Sequence, residues 1–106
     1  MAIFEIRVYP INEGCMDEWV AYMDDTIAPY VAAKGVEVVG MFRGIEDPNL
    51  YTWIRRFEDD AARKAQSASI YDDHWVTAIK PNVRRMVDVA NVTVHVVQGS
   101  PASAIK

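Results

Sequence analysis

One cysteine and two histidines are the only thiol and imidazole metal ligands in this chain of 106 residues. The lone thiol, Cys15, closes no disulfide within the chain, and His74 and His95 are too far apart to make a zinc spacing. No apolar run approaches the roughly 20 residues that a membrane-spanning helix needs. Lysine and arginine number 11 against 15 acidic residues, a formal net charge of -4, so the basic face that a phosphate backbone demands is missing. A Gly-rich phosphate loop, a Ser-His-Asp arrangement and a charged-then-apolar leader are also missing. These absences predict a soluble, cytoplasmic protein that binds neither nucleic acid nor membrane and needs no metal and no cofactor. What is present is ordinary globular composition, 51% apolar and 25% charged, at a length that suits one domain over residues 1–98 and a tail over 99–106.

The chain divides by its periodicity. Phe4, Ile6 and Val8 alternate with Glu5, Arg7 and Tyr9, which predicts a first strand over Ile3 to Tyr9, ended by Pro10. Met16, Trp19, Val20, Met23, Ile27, Tyr30 and Val31 then recur at helical spacing, with Gly35 as the stop. Pro29 lies inside that helix and predicts a bend near the Asp25 carbonyl. Two runs rich in β-branched and aromatic residues, Val36 to Arg43 and Leu50 to Phe57, flank a turn cluster and predict a hairpin. Asp59 or Asp60 is placed to cap an alanine-rich helix, and Asp72 or Asp73 a second one that Pro81 bends or restarts. Met86 to Val97, nearly continuous in β-branched residues, reads as a last strand buried on both faces. Gln98 to Lys106 reads as an extended or mobile tail.

The order strand, helix, strand, strand, helix, strand is that of a ferredoxin-like α+β domain with a four-stranded antiparallel sheet. Both faces of the strands carry bulky apolar groups, and helices cover only one of them. A homodimer through the bare face is therefore expected.

Several features together resemble the NIPSNAP family: Phe4-Glu5-Ile6-Arg7-Val8-Tyr9, then Gly14, Trp19, the mid-helix Pro29, and Gly35 before Val38-Val39-Gly40. They continue with Arg56-Phe57-Glu58, Arg63 and an acidic pair before Trp75. The resemblance implies a dimeric α/β-barrel, two sheets packed face to face with helices outside. It also implies, by analogy with small monooxygenases and isomerases of the wider superfamily, a cofactor-independent cleft for acyl, polyketide-like or aromatic molecules. A noncatalytic interaction dimer is the alternative.

Among single residues, Glu5, Arg7 and Tyr9 put an acid, a guanidinium and a phenol on one face of a strand expected to be central. Such groups are costly to bury unless paired. They are catalytic candidates, Arg7 as a bidentate donor to an oxyanion or carboxylate and Tyr9 as donor or proton relay. The other reading of the same residues is a structural Glu5–Arg7 ion pair. His95, in phase with Asn91 and Thr93, joins the catalytic candidates if it faces a pocket. Trp53 and Tyr51 are substrate-binding candidates whose alternative role is core or interface packing. Arg56 is added on the strength of the resemblance. Haem ligation by His74 or His95 would need an axial ligand inside a large apolar cavity and is set aside.

Overall fold

The computed structural model describes all 106 residues. Four strands, β1 (Ile3–Pro10), β2 (Glu37–Arg43), β3 (Leu50–Phe57) and β4 (Thr93–Val97), form one antiparallel sheet in the order β2-β3-β1-β4. β1 is therefore central. Its register against β3 puts Glu5 opposite Arg55, Arg7 opposite Trp53 and Tyr9 opposite Tyr51, so these six side chains share one face. That face meets the helices: Tyr9, Tyr51, Trp53 and Phe57 join the apolar core, and Glu5 and Arg55 are the two buried charges of the molecule.

The first helical stretch is α1 (Met16–Tyr22), a π turn over Met23–Ile27, and α2 (Ala28–Ala33). Pro29 sits in the first turn of α2, where its missing N–H removes no bond that the π turn requires. The expected bend is thus resolved as a wider turn. Its effect on packing is direct. Trp19, Met23, Ile27 and Val31, four residues apart each time, are all 0–1% exposed. In a straight α-helix an every-fourth pattern drifts around the axis, and the π turn takes back that drift so that one face stays on the sheet. Gly35, at φ 84°, ends the stretch in a left-handed conformation that side-chain-bearing residues avoid.

On the second crossover, Asp59 accepts from the Ala62 N–H at 2.7 Å and starts α3 (Asp60–Ile70). Asp72 accepts from the Trp75 N–H at 3.0 Å. A second π turn over Trp75–Ile79 then leads into α4 (Lys80–Met86), again with a proline, Pro81, in its first turn.

Two expectations are corrected at the C-terminal end. The last strand does not begin at Met86 and is not buried on both faces. Met86 closes α4, Val87 forms a lone bridge to Ile11, Val89–Asn91 make a 3-10 turn, and β4 has all five residues exposed. The reason is geometric: between the pairs Val8–Thr93 and Ile11–Val87 the returning chain carries more residues than β1, and the surplus leaves the ladder as the turn. β4 also lies at the sheet edge, where Val94 and Val96 remain 40% and 48% exposed. The tail, for its part, is not extended. Ser103 N–H bonds back to the Ser100 carbonyl at 2.9 Å, and the tail folds over Phe4, Ile6 and Ile54 on the face away from the helices. A Cβ on Gly99 would stand 2.7 Å from the Ile105 carbonyl oxygen, so this fold-back depends on glycine.

Candidate ligand cavity on the helix side of the sheet

Because β1 is central and period two, Glu5, Arg7 and Tyr9 step along the sheet beneath the helices. Glu5 is 3% exposed and bound from three sides. Its Oε1 accepts from Arg55 Nη2 at 2.6 Å, Arg55 Nε at 3.0 Å and Arg7 Nη1 at 2.9 Å, and its Oε2 accepts from Arg63 Nη1 at 3.2 Å. Burial works to raise the Glu5 carboxyl, but the Arg55, Arg7 and Arg63 guanidiniums outweigh it and hold it below the ordinary carboxylate value. A carboxylate so saturated is a poor base. Its part is to fix Arg7.

Arg7 is held equally firmly along its length. Its Nε donates to the Tyr9 hydroxyl at 3.2 Å, and its guanidinium carbon stands 5.9 Å from the Trp53 ring centroid and 6.0 Å from that of Tyr9. Burial opposes the charge, yet Tyr9, Tyr71 and Glu5 together keep it firmly protonated. Nη2 is left without an acceptor in the protein. Beside Arg7 opens a cavity of about 270 Å³. Arg7 and Tyr9 form its floor; Tyr71 and Trp75, paired edge to face at 5.2 Å, form one wall. Lys80, Val83 and Arg84 of α4 form the second wall, and Val89 and Val92 close the side where the chain leaves the ladder for its 3-10 turn.

The structure thus brings together Glu5, Arg7 and Tyr9, with Arg7 and Tyr9 facing the cavity and Glu5 behind them. It does not bring the remaining candidates to it. His95 pairs with Ile6 in the ladder, which puts it on the opposite face and exposed. Arg56 also belongs to that opposite face, bonded to Glu58 at 2.8 Å and to Glu37 at 3.5 Å. Tyr51 and Trp53 are 1% and 2% exposed in the core, and the Tyr51 hydroxyl and Trp53 indole N–H have no partner there. Sequence reasoning missed Tyr71, Lys80 and Arg84. The available signal was the spacing of Lys80, Val83 and Arg84, three and four apart on one helix face. Arg55 and Arg63, the other ligands of Glu5, were also missed, although Arg55 alternates in phase with Tyr51, Trp53 and Phe57. No group of three or more His, Cys, Asp or Glu side chains is arranged to hold a metal ion, and no helix is long and apolar enough to cross a membrane.

Comparison with known proteins agrees with this architecture. The NIPSNAP family model matches residues 4–101. A crystal structure of a NIPSNAP family protein from Agrobacterium tumefaciens superposes with a TM-score of 0.89 at 16% identity, covering 100% of both chains. A second such protein from the same organism, described as of unknown function, gives 0.88 at 20% identity over 99% of this chain and 94% of that one. A protein from Bacteroides thetaiotaomicron described as a putative antibiotic biosynthesis monooxygenase gives 0.65 at 21% identity, over 99% and 94%. At such identities the likeness is one of fold. None of the curated proteins matches in sequence.

Proposed function

The chain belongs to the NIPSNAP family, and from that premise we propose that it binds or transforms a small acyl, polyketide-like or aromatic molecule in the cleft between sheet and helices, without a prosthetic group. One observation carries the reading: the cavity of about 270 Å³ opens directly over Arg7 and Tyr9, with apolar walls from Tyr71, Trp75 and Val83. In this reading Arg7 orients an oxyanion or carboxylate and Tyr9 holds or passes a proton at its hydroxyl. The fold likeness to a protein described as a monooxygenase is compatible with it and adds only analogy. The protein acts in the cytoplasm as a homodimer in this proposal. Support comes from the face away from the helices, where Phe42 and Val97 are exposed beside the half-buried Ile6, Val8 and Ile54.

A second reading, a noncatalytic dimer, is favoured by the saturation of Glu5, since such a network also suits pure architecture. One experiment separates the two. Saturation-transfer NMR with a panel of small aromatic and acyl carbonyl compounds is run on the native protein and on Val83→Trp, which fills the cavity. Binding that the substitution abolishes while the melting temperature holds supports the ligand site. Binding unchanged in Val83→Trp, or no binding by any member of the panel, leaves the architectural reading.

A further inference from the structure

Of the 11 lysine and arginine side chains, all stand at ion-pair distance from a carboxylate except Lys80, Arg84 and the C-terminal Lys106. Lys106 donates to the Pro101 carbonyl instead. Lys80 and Arg84, one turn apart on α4, both line the cavity above Arg7. The chain has a surplus of carboxylates, with a net charge of -4, yet none lines this space. Of the acidic groups nearest in sequence, Asp72 is engaged by Tyr30, Lys34 and the Trp75 N–H, Asp88 by the Asn91 side chain at 2.7 Å, and Asp73, exposed and bonded only through its backbone carbonyl, does not line the cavity. Glu5 and Asp60, on the far side of Arg7, are themselves shared among Arg7, Arg55, Arg63 and Lys64. Two cations without a counter-charge, Lys80 and Arg84, therefore line one apolar-walled volume together with the Glu5-paired Arg7, and an anion would relieve the excess of positive charge there.

We propose that the cavity receives a small aromatic carboxylate, its charged head between Arg7, Lys80 and Arg84 and its flat body against the Tyr71–Trp75 pair. This rests on the ligand-binding reading above and adds the charge and shape of the ligand. Arg7 keeps Nη2 free on a fork held by Glu5 and Tyr9, whereas Lys80 and Arg84 supply charge from the α4 wall. An inorganic anion would satisfy the cations but leave the aromatic wall in water, and a neutral aromatic would do the reverse.

The test is isothermal titration of the native protein with 2-naphthoate, with the neutral 2-naphthalenemethanol and with inorganic phosphate. Naphthoate is expected to bind at least roughly tenfold tighter than either of the others, as a charge-assisted bond to a desolvated cation warrants. The double variant Lys80→Met with Arg84→Met keeps the apolar stems of both side chains. It is expected to lose that preference while keeping its melting temperature. Equal affinity for naphthoate and the alcohol overturns the charge assignment and leaves the apolar-cleft reading standing. Phosphate binding as tight as naphthoate reduces the site to an anion site and overturns the aromatic class. If neither aromatic binds, this inference falls, and the cleft reading stands or falls on the wider panel with Val83→Trp.

Discussion

Glu5 and Arg55 face each other across the central pair of strands, the carboxylate Oε1 accepting from Arg55 Nη2 at 2.6 Å, with both residues 3% exposed or less. Arg55, rather than Arg7, is the principal partner that makes a buried carboxylate tolerable here. Arg7 then contributes a further bond to Glu5, keeps Nη2 without an acceptor in the protein, and lines the cavity.

Removal of Arg55 is therefore expected to be the costlier change. Arg55→Met should destabilise the domain by about 3–5 kcal/mol, because it strips a fully buried carboxylate of its main partner. Arg7→Met, which leaves Arg55 and Arg63 on Glu5, should cost distinctly less. Urea denaturation of both variants decides this. Adding Glu5→Gln to Arg55→Met should recover much of the loss, and a double variant no more stable than the single one would refute the pairing.

Acid should weaken the fold through the same residue. The Glu5 carboxyl is held below its ordinary value in the folded state by the arginines around it, so the unfolded chain takes up the proton first as pH falls. The stability Glu5 contributes is fully present above its unfolded value of about 4.5 and is lost as pH falls through the folded value. Melting temperatures between pH 7 and pH 3 should fall more steeply in the native protein than in Glu5→Gln. Parallel curves would show that other carboxylates govern acid unfolding.

Pro29→Ala should fold. The π turn at Met23–Ile27 already absorbs the absent N–H, so alanine restores a donor without adding bulk. Circular dichroism should show native helix content, and backbone chemical shifts should report whether Met23–Ile27 tightens toward α geometry. Loss of folding in this variant would mean that the wide turn is a requirement of the proline and not an accommodation of it.

The proposed homodimer should bury more than about 1,600 Å² in total, as permanent dimers do. Phe42, 55% exposed on the face away from the helices, is a natural anchor. Light scattering at micromolar concentration should give a dimer for the native chain and a shift toward monomer for Phe42→Glu. A native monomer would sink the proposal.

The first three strands, the helix stop at Gly35, the caps near Asp59 and Asp72 and the polar face of β1 are written in local pattern. Side-chain alternation and capping are properties of a few neighbouring residues, and they hold in any context that lets the segment form. The run from Met86 to Val97 misled for the same reason. Its β-branched composition is local, but whether it forms a strand depends on how many residues β1 offers it, and that is a matter of register between distant segments. His95 lies on the face away from the cavity for a related reason, since phase along one strand carries no information on which face a helix will cover, and Arg56, taken up on the resemblance, lies on that same face. The Glu5–Arg7 pair was legible as one reading of β1, but the more distant partners of Glu5 and the cavity over Arg7 were not. They join residues as far apart as Glu5 and Arg63, or Arg7 and Arg84, whose meeting is decided only when the second crossover packs onto the sheet.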